Sequence, residues 1–230
     1  MALINLRNAL MAGKHKPTAK DYVQNGLVAM WDGIENAGWG VHDANATVWK
    51  DLAGEVDVNV NVSFSNNALI CPGNIAPCVA SSYISVAQTI EVVFKHDDDK
   101  DFFLIYSKGK PSLSKGFLVA TWKGALGFDN TITRVIYAGR NRVAVSATSK
   151  SGTDNFVTSE IYVDGIESSS SSNDYWRDDF AGTLIGSRTR NSATYIFNGE
   201  IYSIRLYSRV LTVSEIAANY AIDKARFHLP

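Results

Sequence analysis

Two short stretches place tryptophan among small and polar residues: GWGVHD (38–43) and NDYWRDD (173–179). The flat face of an indole matches the C–H side of a sugar ring, and nearby polar groups satisfy its hydroxyls. Trp39 and Trp176 are therefore the candidate ligand-binding residues, with Tyr175, Arg177 and Asp178 as stacking or polar neighbours. Trp31, Trp49 and Trp122 lie in strand-like stretches, where packing is the expected role. Two further stretches are rich in oxygen donors, WDGIENAGWGVHDAN (31–45) and HDDDKD (96–101). A calcium ion takes six to eight oxygens. Asp32, Asn36 and Asp43 are the metal candidates, although neither stretch has the spacing of a known calcium loop. The acidic run at 96–101 lies between two strand-like segments and reads as a solvated hairpin loop.

Other reactive sets are sparse. His15, His42, His96 and His228 are scattered. No Gly-x-Ser-x-Gly elbow, His-Glu-x-x-His pair or glycine-rich phosphate loop occurs. Cys71 and Cys78 bracket a Pro/Gly turn in CPGNIAPC and read as reduced thiols, with a disulfide closing a short loop as the alternative; two thiols with no nearby His are too few for a zinc site. Arg134, Arg140 and Arg142 form a basic group too small for nucleic-acid recognition, and the formal net charge of -1 gives no global field that would attract it. No apolar run is long enough to cross a bilayer, so membrane insertion is not expected. Asn5, Arg7 and Asn8 interrupt the opening segment, which does not read as a secretory signal.

These residues must be positioned mainly by strands. Segments 26–31, 89–95, 102–107, 116–122, 134–139 and 142–148 are rich in β-formers, several alternating with period two. EIYVDGIES (160–168) predicts a hairpin turning at Asp164-Gly165. In EIYSIRLY (200–207), Tyr202, Ile204 and Leu206 fall on one face, with Ser203, Arg205 and Tyr207 on the other, as in a half-buried antiparallel strand. Thr212 and Glu215 form a capping box, predicting a helix from about Val213 to about Asp223 that buries Ile216 and Tyr220. Leu3, Leu6 and Leu10 suit a short amphipathic helix, followed by a linker-like stretch. The expected organisation is an N-terminal amphipathic segment and linker over 1–21, then one all-β domain over 22–230.

Three segments resemble laminin G-like, concanavalin A-like jelly-roll domains of the bacterial or phage type. They are GLVAMWDGIENAGWGVHDANATVWKDLAG (26–54), EIYVDGIES, and LIGSR (184–188) with FNGEIYSIRLYSRVLTVSEIAANY (197–220). The resemblance implies an all-β, two-sheet antiparallel jelly-roll sandwich with a short C-terminal helix. It implies binding of carbohydrate or protein surfaces, and it makes calcium the cofactor to consider. Hydrolases of this type carry Glu-x-Asp-x-Glu on one strand. The nearest string here, Glu55-Val56-Asp57-Val58-Asn59, lacks the second Glu, and neither Glu91 nor Glu160 completes a pair.

The function expected from the sequence is a non-enzymatic glycan-recognition module, partnered by a glycan or cell-surface polysaccharide. Residues 1–20 would attach it to a protein assembly such as a phage or prophage particle. The alternatives are a structural protein-interaction domain, and a glycan-active hydrolase with an unrecognised carboxylate pair.

Overall fold

The computed structural model describes residues 16–74, 78–80, 88–97, 103–108, 116–122, 125–128, 131–133, 143–149, 159–168, 182–187 and 196–230. The early strands are β1 (Leu27–Asp32), β2 (Val48–Trp49), β3 (Val58–Val60), β4 (Phe64–Ser65), β5 (Ala68–Pro72) and β6 (Cys78–Ala80). The central ones are β7 (Thr89–His96), β8 (Phe103–Lys108), β9 (Gly116–Trp122), β10 (Ala125–Phe128) and β11 (Thr131–Thr133). The last are β12 (Val143–Ser149), β13 (Ser159–Val163), β14 (Ile166–Glu167), β15 (Gly182–Ile185) and β16 (Asn198–Tyr207), followed by helix α1 (Val213–Phe227).

The strands form two antiparallel sheets. One runs β14-β13-β12-β7-β16-β5-β4, with β1 also paired to β16. The other runs β11-β10-β9-β8-β15-β6-β3-β2. The main core lies between them. It joins Trp31, Ile90, Val92, Phe94, Ile204 and Leu206 of the first sheet to Trp49, Val58, Val60 and Ile185 of the second. Burying such side chains is worth about 1.5–3 kcal/mol each. Cys71 and Cys78 are free, buried thiols in this core, on strands of opposite sheets, and burial raises both thiol pKa values.

Local chemistry accounts for several of these elements. Asp164 and Gly165 both have positive φ, at 51° and 75°, so the β13–β14 hairpin closes through the two-residue turn that matches strand twist. Thr212 Oγ1 accepts from the Glu215 backbone N–H at 3.3 Å, and Glu215 Oε2 accepts from Thr212 N–H at 2.9 Å, completing the capping box. The helix continues past Asp223 to Phe227, where His228 takes the left-handed cap at φ 54° and donates its N–H to the Lys224 carbonyl.

The central strand differs from its sequence reading. β16 is buried on both faces rather than half-buried, because α1 covers its outer side. A register shift between Ile201 and Ser203 against β7 also breaks the alternation. Ile201 joins the inter-sheet core, whereas Tyr202 packs outward with Val93, Ala144 and Phe227. Residues 18–21, read from sequence as linker, are docked: Ala19–Asp21 is a 3-10 turn with Ala19 fully buried. The helix anticipated at residues 3–11 and the strand anticipated at 134–139 lie outside the described residues.

Candidate functional site: an arginine–carboxylate clamp and the loop it anchors

The outer face of the first sheet carries charge where a core is expected. Arg205 on β16 donates Nε to Glu91 Oε2 at 2.9 Å. It donates Nη1 and Nη2 to the two carboxylate oxygens of Asp223 on α1 at 2.8 and 2.6 Å. Its guanidinium lies 3.9 Å from the centroid of the Tyr22 ring. Tyr22 in turn donates its hydroxyl to Asp223 Oδ1 at 2.7 Å. Asn219 donates to Glu91 Oε2 and accepts from Val23 N–H. The side chains of Arg205 and Glu91 are each 1 % exposed. Burial works against the Arg205 cation, yet Asp223 and then Glu91 hold its pKa well above the ordinary value. Burial pushes Glu91 upward, and Arg205 opposes that shift.

A second clamp continues the first. Arg226, near the end of α1, donates Nη1 to Asp32 Oδ2 at 2.8 Å and Nη2 to Asp32 Oδ1 at 3.1 Å. Its Nη2 also reaches Glu35 Oε1 at 3.0 Å. Burial raises the Asp32 pKa against the pull of Arg226. Planar two-toothed pairing of this kind is what guanidinium offers and ammonium does not. The geometry could hold a ligand carboxylate, but here both guanidiniums are loaded with the protein's own carboxylates and sealed from solvent.

From this anchor the chain runs into the 33–45 loop. Asp32 Oδ1 accepts from the N–H groups of Ile34 and Glu35, starting the turn. Glu35 ties three places together. Its Oε1 accepts from Ala19 N–H at 3.0 Å as well as from Arg226, and its Oε2 accepts from Gly40 N–H at 2.9 Å. Asn36 exchanges a reciprocal pair with the Asp43 backbone, donating to its carbonyl at 2.7 Å and accepting from its N–H at 2.8 Å. His42 donates Nδ1–H to the Gly33 carbonyl at 3.0 Å. Gly38 and Gly40, with φ 129° and 72°, allow the tight bridge between Gly38 and Val41.

Trp39 sits at the tip of this pinned loop. It is 39 % exposed, and Val41 beside it is 51 % exposed. The ammonium of Lys20 lies 5.4 Å from the Trp39 ring centroid. The other described tryptophans with placed side chains behave oppositely. Trp31 and Trp49 are fully buried, and their indole N–H groups donate to the carbonyls of Val56 and Asp32.

The structure thus gathers Trp39, Asp32, Asn36 and Asp43 into one region. Tyr175, Trp176, Arg177 and Asp178 lie outside the described residues. Asp32 spends both carboxylate oxygens on Arg226 and the backbone, Asn36 spends its amide oxygen on Asp43 N–H, and Asp43 Oδ1 accepts from Asn45 N–H. Among the described residues, no group of three or more His, Cys, Asp or Glu side chains is placed to hold a metal ion. No helix among them is long and apolar enough to cross a membrane. Sequence reasoning missed the clamp. Its signal was a polar stripe at 219, 223 and 226 on the helix, the first two facing Glu91 and Arg205 on adjacent strands and the last facing Asp32 at the end of β1.

No curated protein matches the chain. Among solved structures, a Trypanosoma rangeli sialidase in complex with 2,3-difluorosialic acid, described as a covalent intermediate, is similar with a TM-score of 0.62 and 18 % identity. That match covers 98 % of this chain and 39 % of the sialidase. The same enzyme in complex with sialic acid matches with a TM-score of 0.58 and 20 % identity, over 92 % of this chain and 34 % of that one. The chain therefore spans less than two-fifths of the length of these relatives, and at such identities the likeness is one of fold. It nonetheless corrects the expectation of a non-enzymatic protein. The missing Glu-x-Asp-x-Glu strand does not set this chain apart from enzymes, because its fold is found within chains that are sialidases. The family model for the concanavalin A-like lectin/glucanases superfamily matches residues 82–217, more than half of the chain, and the protein belongs to that superfamily.

Proposed function

We propose that this chain is a glycan-engaging module of a glycan-active enzyme, its two sheets forming a jelly roll and its Trp39 loop supplying the sugar contact. The observation that carries the reading is the exposure of Trp39 on a loop held by Glu35, Asn36 and His42. A partly exposed indole on a hydrogen-bonded loop offers a preformed apolar face on which a sugar ring can pack. Pre-set loop geometry also lowers the ordering cost of binding. Superfamily membership and the sialidase-like fold support a saccharide as that ligand and a glycan-processing setting for the module.

The test is a glycan array probed with the full chain and with Trp39→Ala, followed by incubation of each bound glycan with the protein and measurement of released sugar. Binding that depends on Trp39 supports the sugar contact. Release of sugar by this chain locates the reaction within these residues. An array without signal, together with no release from the same panel, overturns the reading.

A further inference from the structure

We propose that the Trp39 platform selects anionic saccharides, with Lys20 as the residue that reads the negative charge. This deepens the reading of Trp39 as a sugar contact and rests on it. Lys20 is exposed and lies on the docked 3-10 turn, whose neighbour Ala19 is tied to Glu35. The turn is thus fixed to the same carboxylate that fixes Gly40 next to the tryptophan. The Lys20 ammonium is held 5.4 Å from the Trp39 ring centroid. The tryptophan nonetheless retains 39 % of its exposure. A sugar packed on the remaining indole surface would bring a ring substituent within reach of that ammonium.

The charge of Lys20 is available to a ligand. It forms no ion pair with any described residue, and Asp21 on its own turn and Glu35, which ties that turn down, have other partners. Asp21 accepts from the Thr18 N–H and hydroxyl. Glu35 is spent on Ala19, Gly40 and Arg226. An apolar aromatic face beside an uncommitted ammonium suits a sugar that carries a carboxylate or a sulfate. A neutral sugar would use the indole alone.

The experiment measures affinity of the full chain for three polymers: polygalacturonate, dextran sulfate and neutral dextran. Wild type, Lys20→Met, Lys20→Arg and Trp39→Ala are compared. Methionine keeps an apolar stem on the indole and removes the charge. The expected result is binding to one polyanion about tenfold tighter than to neutral dextran, with a loss of about threefold to fivefold in Lys20→Met and recovery in Lys20→Arg. The preference should narrow as salt rises from about 0.01 M to about 0.15 M. The carboxylated and sulfated arms identify which anion is read. Equal affinity for charged and neutral polymers, or a Lys20→Met variant equal to wild type, overturns the charge selectivity while leaving Trp39-dependent sugar binding intact. Loss of all Trp39-dependent binding on the array and on these polymers overturns both.

Discussion

The clamp beneath α1 and the loop at Trp39 use the same kinds of polar contact for opposite ends. In the clamp, Arg205, Glu91 and Asp223 satisfy one another and are closed to solvent. In the loop, carboxylate and amide groups are spent mainly on the backbone, and an aromatic ring is left partly exposed. Arg226 and Glu35 join the two regions, since one guanidinium holds both the start of β1's exit turn and the carboxylate that pins Gly40. The lesson is that a densely charged cluster need not be where a ligand binds. The buried ions tie α1 to the sheet, and through Glu35 the same bonds reach the loop that carries Trp39.

The sharpest way to break this division is to remove a guanidinium. Arg205→Met leaves Glu91 and Asp223 buried without their cation, and should cost about 3–5 kcal/mol in urea unfolding. A loss below about 1 kcal/mol would mean that the clamp does not hold α1 to the sheet. Arg226→Met should cost somewhat less, about 3 kcal/mol, because Glu35 keeps its backbone donors. It should also speed hydrogen exchange at the Gly40 amide, whereas Arg205→Met should affect that amide mainly through global unfolding. Equal local effects from both would erase the link between clamp and loop.

Smaller effects sharpen the comparison at the start of the helix. Thr212→Ala removes the cap and should cost about 1 kcal/mol, seen as a lower urea midpoint. Arg209 grips Glu215 there with two hydrogen bonds, at 2.9 and 2.6 Å. With Thr212, it lowers the Glu215 pKa from 4.5 to about 2. A depressed carboxylate pKa adds stability that is fully present above the unfolded value and is lost as pH falls through the folded one. The stability gap between wild type and Glu215→Gln should therefore be steady above about pH 5 and shrink between about pH 4.5 and pH 2. A gap independent of pH would show that the ion pair contributes nothing. Trp39→Ala should be the mildest change for the fold, within about 0.5 kcal/mol in thermal or urea melts, because the ring sits on a surface loop outside the core clusters.

The fold was largely legible in the sequence where local rules suffice. Period-two alternation marked β7, β12 and the core side of β16, Asp164-Gly165 marked the hairpin, and Thr212 with Glu215 marked the helix start. The short strands between Val58 and Ala80 were not read, because segments of two to five residues are too brief to show a period. The outer face of β16 was misread for a different reason. Ser203, Arg205 and Tyr207 look solvent-facing until a helix folds over them, and that contact is tertiary. The same holds for the end of α1, where Asn219, Asp223 and Arg226 seem to be a wet face but are buried by pairing with groups up to 201 residues away. Of the candidate site, Trp39 was visible as an aromatic among glycines. The carboxylate of Glu35 that locks its loop was visible only as one oxygen donor among several.

The most direct test is a side-by-side titration of wild type and Trp39→Ala with the strongest glycan found on the array, each protein first shown to melt at the same temperature. The structure predicts saturable binding by wild type and a loss of at least about tenfold in the variant, which corresponds to about 1.4 kcal/mol. Equal affinity in the two equally folded proteins would contradict it.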